Sequence, residues 1–198
     1  MIVFIAMVLV AGMAAYVLLS TSSQLQSKSV TTGGQTIKEV STGLKIGSIE
    51  GHVTTGLIDK ILLDITPRPG SQEIDLSTTH LELSNGSVKC ILKYSGTYWI
   101  NGKSGSANLF ALHAFSPVAS EYGLIVVKDE DNSCSATTPV ISKGDSVLIA
   151  VNTTACFRGI AENINIDGNI IPEDGAWGII NFRTPSSFAN LIIILQED

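Results

Sequence analysis

The side chains that most often perform catalysis or bind metals are sparse in this sequence and widely spaced. Its three histidines, His52, His80 and His113, stand far apart, so no pair has the short spacing typical of metal ligands on one element. The sequence contains no Gly-x-Ser-x-Gly pattern for a serine nucleophile and no Gly-x-Gly-x-x-Gly or Gly-x-x-x-x-Gly-Lys-Ser/Thr loop for phosphate. We therefore predict that the chain is not an enzyme.

The three cysteines do not form a metal-binding pattern either. No two of them have Cys-x-x-Cys spacing, which argues against a structural zinc site at Cys90, Cys134 and Cys156. Cys134 and Cys156 both lie close to junctions between loops and candidate strands, so we predict a disulfide between them. The alternative is three free, buried thiols.

Acidic residues concentrate in one short segment, Asp129-Glu130-Asp131-Asn132. Carboxylates of this kind are ligands for Ca²⁺, but a calcium ion needs six or more oxygen ligands, which one loop rarely supplies alone. We predict a solvated loop and no cofactor, with a structural cation bound by Asp129 and Asp131 as the alternative.

Two tripeptides match the acceptor pattern for N-linked glycosylation. They are Asn85-Gly86-Ser87 and Asn152-Thr153-Thr154. Such tripeptides are common by chance, and they gain meaning only in an exported protein. The apolar N-terminal segment, described below, indicates export. Asn85 and Asn152 are therefore candidate glycosylation sites.

The distribution of charge divides the chain into two parts. The 198 residues include 12 Lys and Arg against 18 Asp and Glu, a net charge of -6, and every one of these residues lies at or after Lys28. So few cations cannot form the basic face that nucleic acid requires, which excludes DNA and RNA as partners. We predict an N-terminal apolar helix over residues 1–43 and a water-facing domain over residues 44–198.

The first 19 residues form an apolar segment that Gly12 alone interrupts. As a helix they would span about 28 Å, close to the thickness of a bilayer's hydrocarbon core. A signal peptide is disfavoured because no basic residue precedes the segment and no Ala-x-Ala site follows it. A single-span anchor is an alternative, although Ala11 and Ala15, four apart, suit close helix–helix packing.

An uncharged polar zone rich in Ser, Thr and Gln follows the apolar segment. Its apolar residues recur at helical spacing, which favours one helix continuing to about Leu44 and reaching on the order of 60 Å. Gly33-Gly34 weakens this helix and is a potential kink. A flexible linker over the same zone is the alternative.

From Leu44 onward short apolar runs alternate with turn residues such as Asn85-Gly86 and Asp167-Gly168. This pattern predicts an antiparallel β-sandwich or barrel, and the absence of a second long helical pattern argues against a parallel βαβ fold. The predicted strands are Leu44 to Val53, Leu57 to Ile65, a strand near Leu81, Val88 to Tyr94, Leu109 to Phe115, Gly123 to Val127, Ser146 to Val151, Ala161 to Ile166, Ala176 to Phe182 and Leu191 to Leu195.

Several segments, taken in order, resemble the archaellins, the filament subunits of the archaeal motility organelle. The likeness begins in the N-terminal helix and extends over most of the chain. The segments that resemble the family are Ile2 to Ala11, Ala14 to Leu18, Lys38 to Leu44, Ile74 to Ser77, Lys128 to Ser133, Lys143 to Asp145, Ile171 to Ala176 and Thr184 to Phe188. The resemblance implies an α+β chain, with a long hydrophobic helix followed by an immunoglobulin-like antiparallel β-sandwich.

The same resemblance implies a structural subunit of the extracellular archaellum filament used for swimming. Its implied partners are copies of itself, a paralogous archaellin, the membrane before assembly, a prepilin-type peptidase and the archaellum assembly machinery. N-linked glycans on Asn85 and Asn152 would follow. The family's mature helix usually begins several residues upstream of Ile2, so the processing site is not predicted. The residues expected to assemble the filament core are Phe4, Met7, Leu9, Ala11, Gly12, Met13, Tyr16 and Leu18.

Three other functions compete with this interpretation. An adhesive archaeal type IV pilin would share the N-terminal helix, and only the β-domain segments favour an archaellin over it. A membrane-anchored β-sandwich that binds a ligand would share the two-part organisation without forming filaments. An anchored surface hydrolase is disfavoured by the missing nucleophile and metal patterns.

Overall fold

The computed structural model describes residues 1–102 and 108–197, which form two compact units. The first unit is Met1–Lys38 and the second begins at Glu39. Helix α1 (Ile2–Ser41) occupies all of the first unit except Met1 and continues into the second.

Helix α1 is one continuous helix of 40 residues, about 60 Å at 1.5 Å per residue. It runs through Gly33-Gly34 without interruption, so the predicted continuation is confirmed and the flexible linker is wrong. Two hydroxyls in the polar zone bond to the helix itself: Thr31 Oγ1 donates to Ser27 O at 2.9 Å and Thr36 Oγ1 to Thr32 O at 3.0 Å. These hydroxyls are satisfied without any partner outside the helix.

The second unit consists mainly of β-strands joined by turns and short helical segments. Eleven strands are found in the described residues, and α2 (Thr153–Phe157) follows β8. The strands are β1 (Leu44–Thr54), β2 (Leu57–Pro67), β3 (Ile74–Asp75), β4 (His80–Ser84), β5 (Lys89–Asn101), β6 (Glu121–Lys128), β7 (Val140–Ile141), β8 (Ser146–Asn152), β9 (Asn165–Ile171), β10 (Gly178–Arg183) and β11 (Ile192–Gln196).

Nine of these strands form one sheet, in the order β10-β9-β4-β5-β6-β8-β2-β1-β11. The sheet curls back on itself, because Gly43 forms a parallel bridge with Ala176 just before β10, and Asn181 N on β10 donates to Gln196 Oε1 on β11 at 3.2 Å. The predicted fold class is confirmed. One difference is that β5 and β6 pair in parallel, which the antiparallel pattern did not predict.

The inner faces of the sheet enclose an aliphatic core around Tyr122, which is fully buried. The Tyr122 hydroxyl donates to Leu76 O and to Thr79 O, each at 3.0 Å. Burial raises the pKa of this phenol, because the ionised form would lose its hydration. Tyr122 therefore ties the β3–β4 connection to the centre of the sheet.

A second, smaller apolar cluster covers part of the outer face of the sheet. Leu109–Ala111 is a 3₁₀ turn, and Phe110 packs there against Leu62 and Ile125. Lys60 Nζ donates to Phe110 O at 2.7 Å. The predicted strand from Leu109 to Phe115 is therefore wrong, because its apolar side chains cover the sheet instead of joining the ladder.

The predicted strand from Ala161 to Ile166 is also misplaced. The observed strand β9 starts at Asn165 and ends at Ile171. Residues before it turn sharply, with Asn163 at a φ of 61°. Ile164 N donates to Thr184 Oγ1 at 2.8 Å, which anchors this turn to the segment after β10.

Candidate functional site

The most unusual surface of the molecule is helix α1, all of which lies in the described residues and none of which is buried. Fourteen large hydrophobic side chains between Met1 and Leu19 are each between 56% and 104% exposed. An 18-residue window of α1 has a mean hydropathy of 2.7, so the helix is long and apolar enough to cross a membrane.

The eight predicted assembly residues all lie on α1, where they occupy two opposite strips. At about 100° per residue, one strip contains Phe4, Met7, Ala11 and Leu18, and the other contains Leu9, Gly12, Met13 and Tyr16. Side chains on both strips are exposed. A helix with apolar strips on opposite sides can contact partners on both sides at once.

The chain that leaves α1 is fixed at its entry to the β domain. Ser71 Oγ donates to Gly43 O at 3.1 Å and accepts from Gly43 N at 3.1 Å. Arg68 N also donates to Gly43 O at 2.9 Å, and Ala176 N donates to Thr42 O at 2.8 Å. Two separate parts of the β domain, the turn from Arg68 to Ser71 and the segment just before β10, therefore hold the two residues between Ser41 and β1.

The structure corrects the predicted disulfide. Cys156 in α2 is bonded to Cys90 on β5, with their Cα atoms 6.1 Å apart, and Cys134 is free and buried. Burial raises the pKa of the Cys134 thiol to about 11. The Cys134–Cys156 prediction failed because proximity to a loop junction does not determine which cysteines meet, and β5 brings Cys90 to α2 across 66 residues of sequence.

The acidic segment is joined by a residue that the sequence analysis did not include. Asp145, in the turn before β8, lies beside Asp129 and Asp131, and one oxygen from each lies within 4.8 Å of the others. Asp145 accepts from Ser142 N at 2.7 Å and from Glu130 N at 3.1 Å. Hydrogen bonds from Ser133 lower the pKa of the exposed Asp131 carboxyl. These oxygens match the ligands that hard cations prefer.

The two glycosylation sequons differ in local structure. Asn85 begins the β4–β5 turn, where its Oδ1 accepts from Ser87 N at 3.0 Å and from Val88 N at 2.8 Å. Asn152 ends β8, and its Oδ1 caps α2 by accepting from Ala155 N at 3.2 Å. In the second sequon, Thr153 is buried and its hydroxyl donates to Ile58 O at 2.7 Å.

The histidines have separate structural surroundings. His52 Nδ1 lies 2.7 Å from Asp59 Oδ1 and its ring packs against Phe110, whereas His80 bonds locally to Thr78 O. Across residues 1–102 and 108–197, the single group of three or more potential metal-binding side chains is the aspartate cluster.

A long apolar helix with no buried residue, attached to a disulfide-bonded β domain, defines a class of two-part chains whose helix needs an apolar environment. Within that class, the family model for archaeal-type flagellin matches residues 1–182. Flagellin B2 of Methanocaldococcus jannaschii is 37% identical over 197 residues, which cover 99% of this chain and 91% of that protein.

Two solved structures have the same fold. The crystal structure of archaeal flagellin FlaB1 from Methanocaldococcus jannaschii has a TM-score of 0.71 and 30% identity, covering 79% of this chain and 98% of that chain. The archaeal flagellum of Methanospirillum hungatei strain JF1 has a TM-score of 0.64 at 17% identity, covering 97% of this chain and 95% of that chain. The second likeness is one of fold.

The chain belongs to the archaeal-type flagellin family. The predictions of an archaellin, a structural filament subunit and not an enzyme, are thereby confirmed. The adhesive pilin and the membrane-anchored binding module are not favoured. The absence of a cofactor stays a prediction.

Proposed function

We propose that the chain polymerises through α1, with the eight assembly residues inside the filament core and the β domain in the outer wall. The observation that supports this most directly is that α1 has no buried residue. Removing a large apolar side chain from water contributes about 1.5–3 kcal/mol. For the fourteen exposed side chains up to Leu19, the total is on the order of 20–40 kcal/mol, so α1 requires an apolar environment.

Two environments can supply it in succession. Before assembly, lipid surrounds the apolar half of α1, and in the filament the helices of other subunits replace the lipid. Because lipid is as apolar as the helix, this exchange is stabilised mainly by close packing, for which Ala11, Gly12 and Ala15 are suited. Strips on opposite sides of α1 let each subunit contact neighbours on both sides, which an open polymer needs.

The other proposed partners act on the subunit as it passes from the membrane into the filament. A prepilin-type peptidase would remove a leader as the subunit leaves the membrane, the archaellum assembly machinery would insert it, and a paralogous archaellin could enter the same filament. The finished filament would be extracellular and transmit thrust for swimming.

A charge in the apolar half of α1 tests the proposal. Gly12→Asp places a carboxylate where neither lipid nor a helix bundle provides a partner, at a cost of about 2.5–3.5 kcal/mol per subunit in a membrane helix. We expect no filaments in sheared cell-surface fractions under electron microscopy, and no swimming. Gly12→Ala is the matched control, since no atom outside the local helix lies within 4 Å of a Cβ at this position. Normal filament yield from Gly12→Asp would refute the role of α1.

We also propose that Asn85 is glycosylated in the folded subunit and that Asn152 is modified only before folding. The side-chain carbonyl oxygen of Asn85 is bound within its turn, and these hydrogen bonds do not use the amide nitrogen to which a glycan would be attached. The Asn152 side chain instead caps the start of α2 through its Oδ1, and the middle residue of its sequon, Thr153, is buried. Ser87→Ala should abolish the glycopeptide at Asn85 in mass spectra, and Ser87→Thr should retain it. An unmodified Asn85 in wild-type filaments would refute this assignment.

A further inference from the structure

A shallow groove of about 290 Å³ lies beside the turn that contains Asn85, and most of the residues that line it have polar side chains. It is lined by residues of three neighbouring strands, among them Glu82 and Ser84 on β4, Lys89 on β5, and Asp167 and Asn169 on β9. The function described above uses none of these residues.

The strand register determines where this groove begins. Ser84 pairs with Lys89 on one side and with Asp167 on the other, and Asn85 follows Ser84 directly. The next row on the same face places Glu82 between Ile91 and Asn169. The groove therefore starts at the residue that precedes Asn85 and extends across β4 to β9.

The turn fixes the point from which anything attached to Asn85 would leave. Besides the two bonds to Asn85 Oδ1, Asn85 N donates to Val88 O at 3.2 Å and Gly86 N donates to Ser84 Oγ at 3.2 Å. Gly86 has a φ of 83°, in the left-handed region that glycine favours.

We propose that this groove binds the first sugars of the glycan on Asn85, an inference that rests on the glycosylation proposed above. The ligand class is a carbohydrate with several hydroxyl groups, each of which donates and accepts hydrogen bonds. Carboxylates at Glu82 and Asp167 accept such bonds, Lys89 donates them, and Asn169 can do both. Small binding sites typically combine a few placed polar groups with apolar surface.

Two isoleucines supply that apolar surface at the two sides of the Glu82–Asn169 row. Ile91 and Ile179 are 53% and 71% exposed. Ile91 pairs with Glu82, and Ile179 pairs with Asn169. The C–H faces of sugar rings can cover such side chains and remove them from water.

The polar side chains of the groove already hold one another in place. Lys89 Nζ lies 2.8 Å from Glu82 Oε2, and Asn181 Nδ2 donates to Asp167 Oδ1 at 2.7 Å. A carboxylate has further acceptor positions after one such bond. The covalent link also keeps the sugars at a high effective concentration beside the groove, so contacts that are individually weak suffice to hold them there.

The test uses native filaments and four variants of the full chain. Ser87→Ala removes the sequon while keeping both hydrogen bonds that Asn85 accepts, and Asn169→Ala removes a groove contact while keeping the glycan. Their double mutant and the control Asn165→Ala, on the same face of β9 but outside the groove lining, complete the set. Mass spectrometry measures glycan occupancy at Asn85, and calorimetry measures the melting midpoint.

We expect Ser87→Ala to lower the melting midpoint. Asn169→Ala should lower it by at least half as much. Asn169→Ala should have no effect on the melting midpoint in the Ser87→Ala background, and the control Asn165→Ala should lower the wild-type midpoint less than Asn169→Ala does. In a cryo-electron microscopy map of the wild type, sugar density should run from Asn85 over Ser84 towards Asn169.

Other results would overturn the inference. The groove would be excluded as the binding site if Asn85 is fully glycosylated in the wild type and Asn169→Ala changes the melting midpoint equally in the wild-type and Ser87→Ala backgrounds. Sugar density that points into solvent would exclude it as well. A segment of a neighbouring subunit seated in the groove would exclude it as well. An unoccupied Asn85 would refute the proposed glycosylation itself, and this site with it.

Discussion

Removing the Cys90–Cys156 disulfide should destabilise the β domain strongly. The bond closes a loop across 66 residues of sequence, from β5 to α2. In the chain-entropy account, a loop of that length restricts the unfolded chain enough to contribute about 4 kcal/mol at 25 °C. For a chain of this size, a change of that magnitude corresponds to a fall of about 8–16 °C in Tm.

The assay is thermal or denaturant unfolding of the full-length chain in detergent micelles, followed by tryptophan fluorescence. Both tryptophans, Trp99 and Trp177, lie in the second unit, so their emission reports on the β domain. The perturbation is the double replacement Cys90→Ala with Cys156→Ala. Cys134→Ala is the matched control, because it removes a buried sulfur without removing a cross-link.

We expect the double variant to lose about 4 kcal/mol in free energy of unfolding beyond the packing loss measured with Cys134→Ala. Peptide mapping without reduction should find Cys90 linked to Cys156. The reasoning would be refuted by a double variant as stable as the control, or by a linked peptide that contains Cys134.

Three further predictions follow from particular residues. We expect Gly33-Gly34 to be the point at which α1 bends in the filament. Replacing both with Ala should raise helix stability by about 2 kcal/mol, stiffen α1 and alter filament curvature and swimming; unchanged curvature and swimming would contradict this role. Tyr122→Phe should cost about 1–3 kcal/mol in calorimetry, because its hydroxyl donates to two carbonyls in the core, and an unchanged Tm would contradict it. The pKa of Cys134 is raised from 9.0 to about 11, so its contribution to stability is complete below pH 9 and is lost as pH rises through 11. Cys134→Ala should remove this part of the decrease in the free energy of unfolding at alkaline pH. A variant whose free energy of unfolding depends on pH as that of the wild type does would refute the prediction.

Local pattern was sufficient to predict helix α1. Its apolar residues and the helical spacing of Val30, Ile37 and Val40 are properties of neighbouring positions, and the helix runs from Ile2 to Ser41 as that spacing indicates. The start of β1 at Leu44 was predictable in the same way, since the apolar period changes there. These features depend on few contacts distant in sequence.

The errors occur where distant contacts decide the structure. Leu109 to Phe115 is as apolar as a strand, yet Phe110 is placed by the outer face of β2 and by Lys60. The pairing of Cys90 with Cys156 and the approach of Asp145 to Asp129 also depend on the sheet order. The turn Lys143-Gly144-Asp145 was visible in the sequence, but its position beside the acidic segment was not.

The charge-free segment is longer than a membrane requires, and the excess indicates what α1 is for. The first charged residue is Lys28, so the helix from Ile2 rises about 39 Å before reaching a charge, against a hydrocarbon thickness of about 30 Å. Beyond Leu19 the segment is polar but uncharged, and its exposed side chains there are mainly Ser, Thr and Gln. Such side chains can enter a packed helix bundle with their hydrogen bonds satisfied within the helix, as Thr31, three residues beyond Lys28, does by donating to Ser27 O. A charged side chain could not, because burial without a partner is costly. A membrane anchor alone would have no need to exclude charge over that additional length, whereas a helix buried among its copies would.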